Sequence, residues 1–214
     1  MSEAGPRPAG RIADFDFDGL QAGEMPTSRI VRMELATTSC ALRPPGLGDA
    51  QSLALQANNR KVWLNLRDAL PHPYTVDDAR RWIDSLKEQN PVAHFAIVVD
   101  GLAVGGIGLT IGSDIQRKSA EIGYWLGEDY WGRGIATDAV RCVSEYGFTE
   151  LDLLRIFATP MSWNARSFRV LEKAGFQREG LLRSACVKDD KVVDMVMYSN
   201  VTGASDRSDR IVPD

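Results

Sequence analysis

Cysteine and histidine are both scarce in this chain of 214 residues: Cys40, Cys142 and Cys186 are widely separated and odd in number, and His72 and His94 are the only imidazoles. No C-x-x-C pair is present, so neither a disulfide framework nor a zinc site is suggested and free, buried thiols are expected. Two histidines are too few for a His-based metal centre, and no metal is expected. No apolar run approaches the roughly 20 residues that cross a bilayer, and Met1 to Leu20 lacks the apolar stretch of a secretory signal. A basic excess is missing as well. The 25 Lys and Arg stand against 29 Asp and Glu, a net charge of −4, which argues against a general nucleic-acid or anionic-membrane surface. A cytoplasmic protein is the expectation.

What is present suffices for one core of ordinary size, with 44% apolar residues. Residues 1–36 are rich in Gly, Pro and acidic positions and read as a flexible tail with little to bury; Ile12, Phe15 and Phe17 are the exception and could dock on the domain or a partner. Residues 202–214 mix Ser, Asp and Arg and read as a second flexible tail. Between the tails, 37–201 forms one domain. Its pattern predicts a strand at 39–43, helices at 48–59 and 76–89, and a hairpin over 94–111 turning at Asp100-Gly101. A strand at 119–126, a helix at 135–149, a strand at 154–159, a helix at 164–173 and strands at 176–187 and 191–199 follow. His94 opens the strand run HFAIVV and reads as structural, whereas His72 lies between Pro71 and Pro73 in a loop.

The stretch Trp131-Gly132-Arg133-Gly134-Ile135-Ala136 sits between the strand AEIGYWL and the helical run from Thr137 to Phe148. Glycines there let the backbone turn and approach a ligand, and the following helix offers unpaired N–H groups and a positive dipole end. An anion fits such a place. The Walker-type loop fails for want of a Lys-Ser/Thr pair after the second glycine, and the dinucleotide fingerprint for want of a third glycine near Thr137. About thirty residues on, Asn164-Ala165-Arg166-Ser167 opens a helix that Gly175 would close in a left-handed conformation.

Through the G-x-G-x-[GA] segment and the run from Asn164 to Phe176 (NARSFRVLEKAGF), the chain resembles the GNAT superfamily of acetyl-CoA-dependent N-acetyltransferases. Residues 43–201 are similar to the Rim-type branch, whose named members acetylate the N-terminal residue of ribosomal proteins. The phrases that carry this are Leu66-Arg67-Asp68 with Pro71-His72-Pro73-Tyr74-Thr75, the run from Glu121 to Leu126, Tyr130-Trp131-Gly132 and the run from Glu172 to Phe176. Trp131 stands where the wider superfamily has Arg or Gln, a swap common in this branch.

The resemblance implies an α/β (α+β) fold with a mixed, mostly antiparallel central sheet, splayed at the acetyl-CoA site and flanked by helices. It implies acetyl-CoA as cosubstrate and a primary amine as acceptor, and leaves a homodimer open. The pyrophosphate would lie on the N–H groups of Trp131, Gly132, Arg133, Gly134, Ile135 and Ala136. Pantetheine would pair with the backbone of Trp125, Leu126 and Gly127 and touch Asn164 and Ser167. Glu121 takes the general-base position. The tyrosine that often protonates the departing thiolate is replaced by Leu171, so Ser167 is the expected acid, with Tyr124 and Tyr198 behind it. Asp68, His72 and Tyr74 are the candidate acceptor-binding residues, Asp68 to pair a cationic amine, with Arg67 structural; Asp77 and Asp78 read as a helix start. The acceptor itself stays open between a protein N-terminus, a free amino acid, a polyamine and an aminoglycoside. A non-catalytic acyl-CoA-binding module is the competing class.

Overall fold

The computed structural model describes residues 33–202, and Ile12, Phe15, Phe17 and nearly all of both expected tails lie outside them. Eight strands form one sheet in the order β1-β2-β3-β4-β5-β6-β8-β7. They are β1 (Leu35–Ala36), β2 (Ala41–Arg43), β3 (His94–Val99), β4 (Leu102–Ile111), β5 (Ser119–Leu126), β6 (Arg155–Ala158), β7 (Gln177–Lys188) and β8 (Lys191–Val201). Every neighbouring pair is antiparallel except β5 with β6. The helices are α1 (Ala50–Ala57), α2 (Arg60–Trp63), α3 (Val76–Ser85), α4 (Ile135–Thr149) and α5 (Ala165–Lys173). Among the described residues, no helix is long and apolar enough to cross a membrane.

Strand alternation divides the core. Phe95, Ile97, Ile107, Leu109 and Ile122 point to one face, where Ala139, Val140 and Val143 of α4 cover them. Ala96 and Val98 point to the other, beneath Leu53 and Ala54 of α1 and Ala79 and Ile83 of α3, and the register shift at Val104 turns Ala103 to join them. Helix ends follow the side chains that cap them. Thr75 and Asp78 form a reciprocal box at the start of α3, as expected of a helix start there. At the end of α5, Phe176 N–H donates to the Leu171 carbonyl at 3.0 Å around Gly175, with Phe176 and Leu171 both buried. The β3–β4 turn has positive φ at both Asp100 and Gly101, which suits a two-residue hairpin loop.

Three details differ from the sequence expectation. Leu35 and Ala36 pair with Leu42 and Ala41, so the sheet begins inside the segment read as a tail. Two residues carry too little pattern to reveal a strand. The 48–59 helix starts as a 3-10 turn at Leu47–Asp49 and ends at Ala57, and α2 begins anew from an Asn59 cap that accepts from Lys61 N–H. Helix α3 stops at Ser85, short of residue 89.

Candidate active site

The site starts where two strands part. β5 lies beside β4 along its length but beside β6 only at Ser119–Arg155, Ala120–Ile156 and Glu121–Phe157. Gly127 N–H donates to the Val104 carbonyl at 2.8 Å. Because strand residues alternate in the side to which their backbone bonds, Ile122, Tyr124 and Leu126 turn N–H and C=O into the gap left by β6. Trp125 and Gly127 turn theirs toward β4. Of the three residues expected to pair with pantetheine, only Leu126 offers its backbone to the gap. Trp131 Nε1 donates to the Leu126 carbonyl at 2.7 Å and ties the glycine loop to the end of β5.

In that loop Gly132 has φ +78° and Gly134 φ +84°, a region where L side chains are strained, and among the described residues, chain neighbours aside, no atom lies within 4 Å of where a Cβ at either would sit. The first helical bond runs from Asp138 N–H to the Gly134 carbonyl at 3.0 Å, which leaves the N–H groups of Ile135, Ala136 and Thr137 ahead of the ladder. The positive end of α4, 15 residues long, is thereby exposed to an anion. Arg166, Arg169 and Lys173 of α5 line the same cavity, and the Arg166 guanidinium lies 4.7 Å from the Trp131 ring centroid. Arg133 sits over the Tyr130 ring, and neither it nor Gly127 belongs to the lining.

Across the gap, Asn164 Oδ1 accepts from Ser167 N–H at 3.1 Å and caps α5. Ser167 Oγ lies 2.7 Å from the hydroxyl of Tyr124, which reaches over from β5. Burial pushes the Tyr124 phenol up, so it keeps its proton. Leu171 is fully buried in the core. Tyr198 falls outside the site: its hydroxyl donates to Glu172 Oε1 at 2.9 Å and its ring stacks on Phe168.

The acceptor side is bounded by the loop after α2. Glu121 is held at both oxygens, Oε2 by Arg67 at 2.6 Å and Oε1 by the Thr159 hydroxyl at 2.8 Å. Arg67, expected to be structural, thus meets the candidate base. Asp68 has a partner within the protein: its Oδ1 is 2.6 Å from Nζ of Lys188, a lysine with only 1% of its side chain exposed. That ammonium also lies 3.6 Å from the Trp63 ring centroid. A buried cation needs its carboxylate, so Asp68 serves Lys188 and the β7–β8 hairpin tip. His72 is exposed, stacks on Trp63 with centroids 5.7 Å apart and is not part of the lining. Tyr74 lines the cavity and is buried, its phenol pushed up to about 12 by burial.

Loop, gap and acceptor side open into one cavity of about 1860 Å³, larger than the roughly 300–1,000 Å³ of a site for one small ligand. It has room for two substrates side by side. A profile of the acetyltransferase (GNAT) domain matches residues 40–177. This chain belongs to the GNAT acetyltransferase family. It is therefore an N-acetyltransferase.

The GNAT chain is 34% identical over 173 residues to the N-acetyltransferase p20 of Bacillus licheniformis, covering 77% of this chain and 94% of that protein. It is 31% identical over 88 residues to the spermidine N(1)-acetyltransferase of Escherichia coli K12, covering 41% and 47%. Among solved structures it is similar to RimJ of Mycobacterium smegmatis in complex with CoA-disulfide, with TM-score 0.69, 27% identity and coverage of 76% and 82%.

Sequence reasoning missed the basic stripe of α5, although 166, 169 and 173 recur at helical spacing and so share a face. It also placed Tyr124 and Ser167 as rivals, because nothing in the sequence shows that the two hydroxyls meet.

Proposed function

We propose that this GNAT enzyme transfers the acetyl group of acetyl-CoA to a primary amine, with a protein N-terminus as the favoured acceptor, by direct attack in a ternary complex. The observation that carries the reading is the continuity of the β5–β6 gap with the donor-rich start of α4. Acetyl-CoA fits this arrangement: Gly132 to Thr137 would hold its pyrophosphate, Arg166, Arg169 and Lys173 its charge, and the free edge of β5 its pantetheine amides. When bound it supplies an acyl group activated as a thioester. The backbone of β5 that faces the gap can aim an N–H at the oxygen on which charge develops.

Proton movements divide between the two walls. Ser167 Oγ–H gives a proton toward the sulfur side, and Tyr124 positions that hydroxyl and supports it from behind. Glu121 is the base on the acceptor side, through a water. Each Glu121 oxygen accepts one bond from the protein, from Arg67 or Thr159, and keeps a lone pair for that water. An α-amine, pKa about 7.8, is neutral in roughly one molecule in seven at pH 7, against roughly one in 2,500 for a lysine amine of pKa about 10.4. The site suits an acceptor that needs little help.

A polyamine or other small-molecule amine is the second reading, supported by the similarity to spermidine N(1)-acetyltransferase over 88 residues. Thiol release from acetyl-CoA with a panel of N-terminal peptides, lysine analogues, spermidine and an aminoglycoside tests both. The leading reading expects the highest kcat/KM with a peptide α-amine; higher values with spermidine favour the second, and no turnover with any amine removes both.

A further inference from the structure

His94, Gly108 and Gly123 are direct partners in one row across β3, β4 and β5, on the face that looks into the acceptor side of the cavity. The His94 ring leans over the strand beside it: a Cβ on Gly108 would lie 2.2 Å from His94 Cδ2 and 2.8 Å from Nε2. Over Gly123 there is open space: among the described residues, its chain neighbours aside, no atom lies within 4 Å of a Cβ. Beside the β5–β6 gap the row therefore leaves a bare floor at Gly123, and the imidazole that overhangs Gly108 stands about 5 Å from it, one strand spacing.

The contacts of the ring favour one tautomer. Gln89 Oε1 accepts from Ala93 N–H at 3.3 Å, a backbone donor that fixes which end of the amide carries oxygen. His94 Nδ1 lies 2.8 Å from the amide nitrogen and 3.2 Å from Oε1, and the shorter contact favours a ring that accepts at Nδ1. Burial pushes the imidazole down, toward the neutral form. A neutral ring that accepts at Nδ1 carries its hydrogen on Nε2, and Nε2 has no hydrogen-bond partner among the described residues.

We propose that His94 Nε2–H is the specificity element of the acceptor site, donating to the carbonyl oxygen next to the amine of an α-amino acyl acceptor laid over Gly123. This rests on the amine-acetylation reading and narrows it to amines that carry a neighbouring carbonyl, such as peptide N-termini, against polyamines that carry none. A donor is the opposite of a base, so His94 orients the acceptor and takes no proton.

The test compares two peptides that share an α-amine and differ at the first carbonyl, oxygen in one and sulfur in the other, a weaker acceptor. Wild type is expected to lose about two- to tenfold in kcat/KM on the change to sulfur, the size of one neutral hydrogen bond, and His94→Phe to treat the two peptides alike. Acetyl-CoA affinity should be equal in both proteins. No loss in wild type, or the same loss in His94→Phe, overturns the proposal. If His94→Phe does not fold, nitrogen NMR of the wild-type ring decides: hydrogen on Nε2 is expected, and hydrogen on Nδ1 overturns it. Failure of wild type to acetylate either peptide would instead strike at the amine reading on which the proposal stands.

Discussion

Removing the Tyr124 hydroxyl alone should slow the enzyme without disturbing its cofactor. Tyr124→Phe keeps the half-buried ring and deletes the 2.7 Å contact with Ser167 Oγ, which sits at the preferred distance for O–H···O, together with a long 3.4 Å bond to the Ser167 carbonyl. A neutral bond of this kind nets about 0.5–1.5 kcal/mol, so folding stability should fall by about 1 kcal/mol in urea titration and turnover by about two- to tenfold. Ser167→Ala removes the hydroxyl proposed as the proton donor to the leaving sulfur, and turnover should drop by more than about tenfold with acetyl-CoA affinity nearly unchanged by calorimetry. The double variant separates a chain of two hydroxyls from two separate effects. If Tyr124 acts through Ser167, the double variant is no slower than Ser167→Ala within about twofold, because the second deletion has nothing left to act on. Losses that multiply would refute the link, and full activity in Ser167→Ala would leave solvent as the proton source.

Gly134→Val should lower acetyl-CoA affinity by at least about tenfold by calorimetry, while its left-handed backbone costs about 1–2 kcal/mol of stability; unchanged affinity would remove the loop from the cofactor site. Asp68→Asn strands the buried Lys188 ammonium and should cost about 1–3 kcal/mol in urea titration, less than a fully buried pair because Asp68 is mostly exposed. Lys188→Met should cost less than Asp68→Asn, and the reverse order would show that the ion pair is not what holds the hairpin tip. Glu179 is held down at about 2 by its hydrogen bonds to Arg155, against an ordinary 4.5. A lowered pKa adds stability above the ordinary value and loses it as pH falls through the folded one, so wild type should exceed Glu179→Gln at pH 6 and the difference should fade between about pH 4.5 and 2.

Long, strongly patterned elements were legible in the sequence: β5, α4 and the β3–β4 hairpin sit where alternation, helical spacing and the Asp100-Gly101 turn placed them. The glycine loop and the Asn164 cap were legible too, because each needs a particular residue type at one place. What stayed hidden depends on contacts between distant segments. Lys188 and Asp68 are 120 residues apart, as Arg67 and Glu121 are 54 apart, and no local pattern announces such pairs. Asp68 therefore reads as a free carboxylate in sequence and as the partner of a buried cation in the fold. His94 reads as a strand residue and is one, yet only the register of three strands shows that its neighbours in the row are glycines.

The central claim is acetyl transfer from acetyl-CoA to an α-amine, and the most direct measurement follows the acetyl group itself. The enzyme is incubated with acetyl-CoA isotopically labelled in the acetyl carbons and a peptide that offers one free N-terminus and one lysine, and the product is sequenced by fragmentation in the mass spectrometer. The account predicts one labelled acetyl group on the N-terminal nitrogen, absent when Gly134→Val replaces the wild-type enzyme at limiting acetyl-CoA. Label on the lysine alone, or a peptide that stays unlabelled while the enzyme binds acetyl-CoA, would contradict it.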